Sequence, residues 1–246
     1  MEYLVWYREA PCAWAVDRLK TGSRGVGTPW QGRTMDGKGK PGKTADSRER
    51  ILAAAVRLFA LHGYGNTGVR ELATVAGVNL AMVNYFFGSK KALLKEILDI
   101  FFSGYLEVAR RELPGPEEPA VRLERFIHAA VDYFAAHRDY LLVTITELPH
   151  DDPDIIEHKA SWGRQMIETV QLHLGGNRND REREKGVPPV VFCSMLTSMM
   201  ASRFLFTPLM EQVQPEQVRS MSNQEYAAIV SRVFLQGIGG PGCEPS

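Results

Sequence analysis

The sequence predicts an all-α protein, with an N-terminal three-helix domain that contains a helix-turn-helix and a larger helical bundle behind it. Three observations predict this. Apolar residues recur at helical spacing from Ile51 almost to the C-terminus, without the sustained alternation that strands need. Glycine and proline clusters punctuate those stretches at intervals suited to helices. The segment VRELATVAGVNLAMVNYFF, from Val69 to Phe87, reads as two short helices joined at a glycine turn.

The chain has 246 residues, 44% hydrophobic and 24% charged, which suits a folded globular protein with one large or two modest cores. Three widely spaced cysteines, Cys12, Cys193 and Cys243, argue against a disulfide scaffold or a zinc knuckle. Cys193 reads as a buried small hydrophobe. No apolar run reaches the roughly 18 to 20 residues of a membrane-spanning helix, so no membrane partner is expected. The N-terminal stretch lacks a basic leader before an apolar core and makes a poor signal peptide, so the cytoplasm is the expected compartment. Net charge is zero but uneven. Residues 1–43 carry eight Lys/Arg against four Asp/Glu, whereas residues 113–246 carry twelve against eighteen. A basic front and an acidic rear suit a protein whose N-terminal part meets a polyanion.

Residues 1–43 form the first predicted region, a flexible basic extension. The stretch from Thr21 to Lys43 is dense in Gly, Pro and basic residues and cannot build a core. It reads either as a basic arm or, because Met35 lies within it, as sequence ahead of a later translation start.

Residues 44–92 form the second region. Asp46 and Glu49 have capping-box spacing, so the first helix is expected to begin near Asp46. His62 to Gly65 ends it. Thr67 is placed to cap a second helix with Val69, Leu72, Ala73 and Val75 inward, and Gly77 stops that helix at positive φ. A third helix, from about Asn79 to Phe86, turns Leu80 and Val83 inward. Gly88 stops it and Ser89 caps a long helix that runs to Pro114.

Residues 93–240 form the third region. Helices are expected over about 118–136, 139–148, 154–174, 190–210 and 222–237, with a polar loop over 175–189 and a frayed tail.

Residues 46–93 resemble the DNA-binding domain of the TetR family of bacterial repressors. The resemblance rests on the opening helix ILAAAVRLFALHGYGNTGV, then RELATVAGV, then MVNYFFGSKKALL, in which Phe86-Phe87-Gly88-Ser89-Lys90 leads into an apolar helix. Beyond these residues the chain fits the family by length, helicity and layout. The resemblance implies a sequence-specific transcriptional regulator that binds a pseudo-palindromic double-stranded operator as a homodimer. It implies a repressor released by a small apolar or aromatic effector, with no cofactor and no catalysis. An activator or an effector-independent regulator is the alternative, and a helical metal-dependent enzyme is the more distant one.

Site roles follow by position. Thr67 resembles the family's phosphate-contacting cap, with the Gly68 backbone beside it and Arg70 nearby. Asn79, Leu80, Ala81 and Met82 occupy base-facing positions of the recognition helix. Asn84 and Tyr85 sit where relatives contact phosphate or bases, and Lys90 resembles a backbone-contacting lysine. The recognition helix is poor in polar readers. Asn79 suits adenine or serves as a helix cap, and Ala81 and Met82 suit thymine methyls, so shape readout is expected to contribute.

The resemblance also implies an effector cavity between the fourth helix and the bundle. Its candidate lining is Phe101, Tyr105, Phe126, Tyr133, Trp162, Met166 and Met199. His128, Thr144, Glu147 and Arg203 are the candidate polar groups. Ordinary core packing is the plainer reading of the apolar members. The last two helices resemble the family's dimer-forming pair, with Phe192, Leu196, Met200, Phe204, Ile229, Val233 and Phe234 as the candidate face. No metal site is expected. His150, Asp151, Asp152, Asp154 and His158 cluster at a turn, where helix-capping acids are the plainer reading.

Overall fold

A computed structural model describes residues 41–146, 152–175 and 187–236. Ten helices occupy them: α1 Pro41–His62, α2 Val69–Ala76, α3 Leu80–Phe87, α4 Lys90–Glu112, α5 Pro119–Ala136, α6 Arg138–Thr146, α7 Pro153–Leu174, α8 Pro189–Val213, α9 Pro215–Ser220 and α10 Asn223–Gln236. No strand occurs among the described residues. The extension over residues 1–40 lies outside them, and α1 takes up positions 41–43.

Helix α1 packs on α2, α3 and α4, and reaches α6 in the bundle. Its inner face, Ile51, Ala55 and Phe59, is fully buried. Asp46 does not cap this helix. It lies inside it, with Oδ2 3.3 Å from Arg50 Nε, one turn on. A carboxylate at that position serves an i,i+4 ion pair instead of an end.

Helix α4 is the hub. It touches α1 and α3 on one side and α5, α6 and α7 on the other. Ser89 caps it as expected, its side chain accepting from Ala92 N–H at 3.0 Å. At the far end Arg122 and Arg125 of α5 reach back to its last carbonyls. Arg122 donates to Leu113 O at 3.0 Å, and Arg125 to Glu112 O at 2.7 Å and Pro114 O at 2.9 Å. Carbonyls that the helix cannot satisfy internally thereby gain partners.

A single residue, His137, breaks α5 from α6. Asp152 caps α7 through Asp154 N–H at 3.0 Å. Helix α8 runs on through Pro208 to Val213, past its expected end. The short α9 escaped the sequence reading. A capping box opens α10: Ser222 N–H donates to Glu225 Oε2 at 2.6 Å, and Glu225 N–H to Ser222 Oγ at 3.1 Å. The Ser222 amide holds the Glu225 carboxyl below the usual glutamate range.

Helix α8 departs from one expectation. It is long and apolar enough to cross a membrane by length and composition, with mean hydropathy 1.4 over its most apolar stretch. Ser194, Thr197, Ser198, Ser202 and Arg203 interrupt the run, which hides it from a search for unbroken apolar sequence.

Candidate nucleic-acid interface

Helices α2 and α3 meet at Gly77, whose φ of 63° and ψ of 39° lie in the left-handed region. The turn closes with Gly77 N–H to Thr74 O at 3.1 Å and Val78 N–H to Ala73 O at 3.0 Å. A β-carbon there would cost strain, which explains the glycine. Leu72, Ala73 and Ala76 bury one face of α2, and Val83 and Phe87 anchor α3. Two expected core positions are instead on the outside: Val75 is 48% exposed and Leu80 36%. The buried stripes are Leu72, Ala73 and Ala76 in one helix and Val83 and Phe87 in the other, and both side chains fall beside them.

The outward side of α3 presents Leu80, Ala81, Asn84 and Tyr85, with Met82 half-buried at its edge. Tyr85 is 81% exposed, its ring edge-on to Phe86 at 5.1 Å. Asn79 is exposed and caps the helix, its Oδ1 accepting from Ala81 N–H at 2.9 Å. Arg70 and Gly68 are exposed at the start of α2.

Thr67 and Lys90 behave differently from the sequence expectation. Thr67 is buried, and its hydroxyl donates to Gly63 O at 2.9 Å. The cap position of α2 falls to Gly68, which forms no side-chain cap bond. The threonine methyl and hydroxyl close the α1–α2 turn from inside, so only backbone is left for an outside ligand there. Lys90 is half-buried. Its ammonium donates to Tyr64 O at 2.6 Å and Thr67 O at 2.7 Å, and lies 4.2 Å from the Tyr64 ring centre. Two carbonyls and an aromatic face form a local site for a cation.

Comparison with known proteins agrees with this geometry. The sequence profile for "Bacterial regulatory proteins, tetR family" matches residues 51–97, which span α1 to the start of α4. The repressor NicS of Pseudomonas putida is 30% identical over 107 residues, 42% of this chain and 49% of that protein. The regulator EthR of Mycolicibacterium smegmatis is 26% identical over 220 residues, covering 87% of this chain and 96% of that one. Among solved structures, a tetR-family regulatory protein from Rhodococcus RHA1 superposes with a TM-score of 0.64 at 20% identity, covering 78% of this chain and 97% of that one. PfmR of Thermus thermophilus gives 0.61 at 22% identity, with 78% and 100% covered.

The chain is similar to TetR-family regulators, and the match to the family's own profile lies over residues 51–97.

The matches span 49% of NicS and 44% of YerO of Bacillus subtilis, about half the length of those relatives. The expected effector residues divide into two groups. Phe101, Tyr105, Phe126 and Tyr133 come together with Phe134 between α4 and α5. Tyr105 stacks on Phe126 at 5.9 Å, and Phe101 lies 5.6 Å from Tyr133. The hydroxyls in this cluster are paired. Tyr105 Oη lies 3.1 Å from Thr197 Oγ1, and Tyr133 Oη donates to Phe101 O at 2.8 Å. Burial pushes the Tyr105 phenol well up, so it stays protonated. Met166 and Met199 pack against the same core.

The members of the second group are held by hydrogen bonds of their own. Arg203 Nε donates to Asn223 Oδ1 at 3.0 Å and its guanidinium lies over Tyr226, so it secures the α8–α10 connection. His128 pairs through Nδ1 with Gln224 of α10. Thr144 donates back to Tyr140 O at 2.9 Å. Trp162 Nε1 donates to Asp99 Oδ1 at 2.8 Å, and its ring stacks on Phe102 at 6.3 Å. Glu147 lies outside the described residues. These partners are between 4 and 96 residues away along the chain, which sequence spacing alone does not reveal.

The expected dimer face also needs correction. Leu196, Met200 and Phe204 are buried in the chain's own core. Phe192, Val233 and Phe234 are half-buried, with Phe192 edge-on to Phe234 at 5.0 Å. Ile229 is exposed. The free apolar stripe of α8 is Val191, Met195, Phe206, Leu209 and Val213, with the exposed Ser198 among them. Helix α8 is apolar on both sides, so periodicity identifies the helix without choosing the face.

Asp152 and Asp154 pair with lysines of α4, and no group of three or more His, Cys, Asp or Glu among the described residues is placed to hold a metal ion. Burial pushes the Cys193 thiol up to about 11, which keeps it in the unreactive protonated form.

Proposed function

We propose that the chain is a sequence-specific DNA-binding transcriptional regulator, and that it acts as a repressor released from its operator by a small apolar or aromatic ligand. One observation carries the DNA-binding part. Val83 and Phe87 fix α3 from beneath, while its outer face is left open with Asn84 and an 81%-exposed Tyr85 at its centre. Such a face suits a major groove: Ala81 and Leu80 meet thymine methyls, Asn84 and Tyr85 offer hydrogen bonds to bases or phosphate, and Asn79 holds the helix start. Arg70 supplies a phosphate contact beside it, and Gly68 a backbone one. Lys90 acts indirectly, holding the turn that carries Gly68.

A second copy of the chain covers the exposed stripe of α8. The stripe is uncharged, follows helical spacing and belongs to a helix only 22% buried over its most apolar stretch. A two-fold dimer through α8 and α10 places two α3 helices on one duplex, as a pseudo-palindrome requires. The effector enters the aromatic cluster around Phe101, Tyr105, Phe126 and Tyr133, where α4 couples it to α1–α3. The internal pairing of the Tyr105 and Tyr133 hydroxyls favours a second reading, regulation without an effector.

Mobility shift on the DNA upstream of the coding sequence, in excess nonspecific competitor, tests the proposal. A discrete complex is expected, weakened by Tyr85→Ala, by Asn84→Ala and by added apolar aromatic compounds. Loss of the complex in the variants but not with any compound would favour the effector-independent reading.

A further inference from the structure

Helix α4 carries two separate sets of attachments along its first half. One set binds it to the three-helix unit: Lys90 to the carbonyls of Tyr64 and Thr67, and Glu96 to Arg48 of α1. The other binds it to α7. Lys91 Nζ lies 2.5 Å from Asp152 Oδ2, and Lys95 Nζ donates to Asp154 Oδ1 at 2.7 Å. Asp99 Oδ1 accepts from Trp162 Nε1 at 2.8 Å and lies 2.7 Å from His158 Nε2. Positions 91, 95 and 99 stand one turn apart, so the three contacts form a ladder about 12 Å long on one edge of α4. The Phe102–Trp162 stack closes its upper end.

The seam between α4 and α5 is of another kind. There Tyr133 lies across Gly104, and a β-carbon on that glycine would fall 2.8 Å from Tyr133 Cζ. Phe101, Tyr105, Phe126 and Phe134 interlock around it. Such a contact cannot slide without opening the core. The α4–α7 ladder, by contrast, is open to water: the side chains of its two lysine–aspartate pairs are 26% to 59% exposed. Exposed pairs are individually weak and respond to salt and neighbouring charge.

We propose that this ladder is a latch between α7 and the DNA-facing end of α4, so that the seating of α7 sets the orientation of the helix-turn-helix. Asp99 is a positioning residue in it, gathering Trp162 and His158 of α7 onto α4. The regulatory consequence rests on the DNA-binding reading above; the latch itself does not. Release at the ladder lets the first turns of α4 move with α1–α3.

The test uses the full chain. Asp152→Asn with Asp154→Asn removes the charges, and asparagine keeps the cap of α7. Amide hydrogen exchange across residues 90–100 is expected to quicken about fivefold, the effect of losing two exposed ion pairs. The exchange of α5 should not change. Restoring one rung in reverse, with Lys95→Asp added to Asp154→Lys, should return exchange towards the parent rate. A duplex enriched from a random pool by the parent protein should be bound with an affinity changed at least about threefold in the neutralised variant. Unchanged exchange in the neutralised variant, or no recovery in the reversed pair, would overturn the latch. Faster exchange with unchanged duplex affinity would overturn its regulatory role. If the parent protein enriches no duplex, the DNA reading fails, and the exchange measurements still decide the latch.

Discussion

The Lys90 ammonium donates to the main-chain carbonyl of Thr67 at 2.7 Å, joining the first turn of α4 to the residue just before the helix-turn-helix. The same nitrogen reaches Tyr64 O at 2.6 Å, so one side chain fixes both ends of the α1–α2 turn. The turn in turn sets the start of α2. Lys90 therefore positions the backbone that leads into α2.

Removing that cation should be felt in stability first. Lys90→Ala is expected to cost about 2 kcal/mol, the scale of losing charge-assisted bonds from a half-buried group. Thermal unfolding should show a midpoint lower by about 4 to 8 °C for a chain of this size. Wild-type stability with weakened DNA binding would instead mean that Lys90 acts directly on phosphate.

Gly77 offers a narrower test. Alanine there must adopt a φ of 63°, at a cost of about 1 to 2 kcal/mol. The added carbon meets only Arg50 Nη1 at 3.4 Å, an ordinary contact, so the fold should survive. Denaturant unfolding should shift its midpoint without changing its slope.

Gly104→Ala should be more disruptive, because Tyr133 must leave its place and its bond to Phe101 O. A loss of about 1 to 3 kcal/mol is expected from overpacking, against about 1 kcal/mol for Tyr133→Phe alone. The two changes share one contact, so the double variant should lose less than the sum.

The ladder between α4 and α7 also predicts a pH response. The hydrogen bond from Lys91 holds the Asp152 carboxyl below the ordinary aspartate range, and the same bond to Asp152 raises Lys91. A depressed carboxyl stabilises the folded state above its unfolded value, and that contribution disappears as pH falls through the folded value. For Asp152 this lies below about 3.9. A raised lysine stabilises below its unfolded value, and loses that contribution as pH rises through the folded value, above about 10.4. Lys95, Asp154, Asp99 and His158 face the same seam. Hydrogen exchange over residues 90–100 should therefore vary little through this rung between those limits, after correction for intrinsic rates, and rise outside them. In Asp152→Asn the acid-side rise due to this rung should be absent.

Self-association provides a further prediction. Glutamate at Met195 and Phe206 places charge in the exposed stripe of α8 and leaves the buried Leu196, Met200 and Phe204 untouched. Sedimentation should show a dimer for the parent chain and a folded monomer for the double variant. A dimer in both would place the interface elsewhere.

The parts of the fold that local chemistry controls were legible in the sequence. Gly77, Ser89 and the glycine after Phe87 marked real helix ends, because turn conformation and capping depend on residues within a few positions. Local chemistry also misled where two local bonds competed. Thr67 has the composition of a cap, yet its hydroxyl prefers the Gly63 carbonyl one turn back, and Gly68 takes the cap position. Tertiary partners were not legible. Arg203, His128 and Trp162, expected to line a cavity, each have a hydrogen-bond partner far along the chain that spacing does not reveal, Asn223, Gln224 and Asp99. Of the α3 positions expected to face bases, Asn79, Leu80 and Ala81 are exposed and Met82 is half-buried.

The most direct measurement is selection of duplexes from a random pool by the purified full chain, followed by the salt dependence of binding to the enriched sequence. The proposed function predicts a pseudo-palindrome with two half-sites, bound by a dimer, with affinity falling steeply as salt rises and markedly reduced in Tyr85→Ala. A folded dimer that enriches no sequence, or binds all duplexes alike with and without Tyr85, would contradict it.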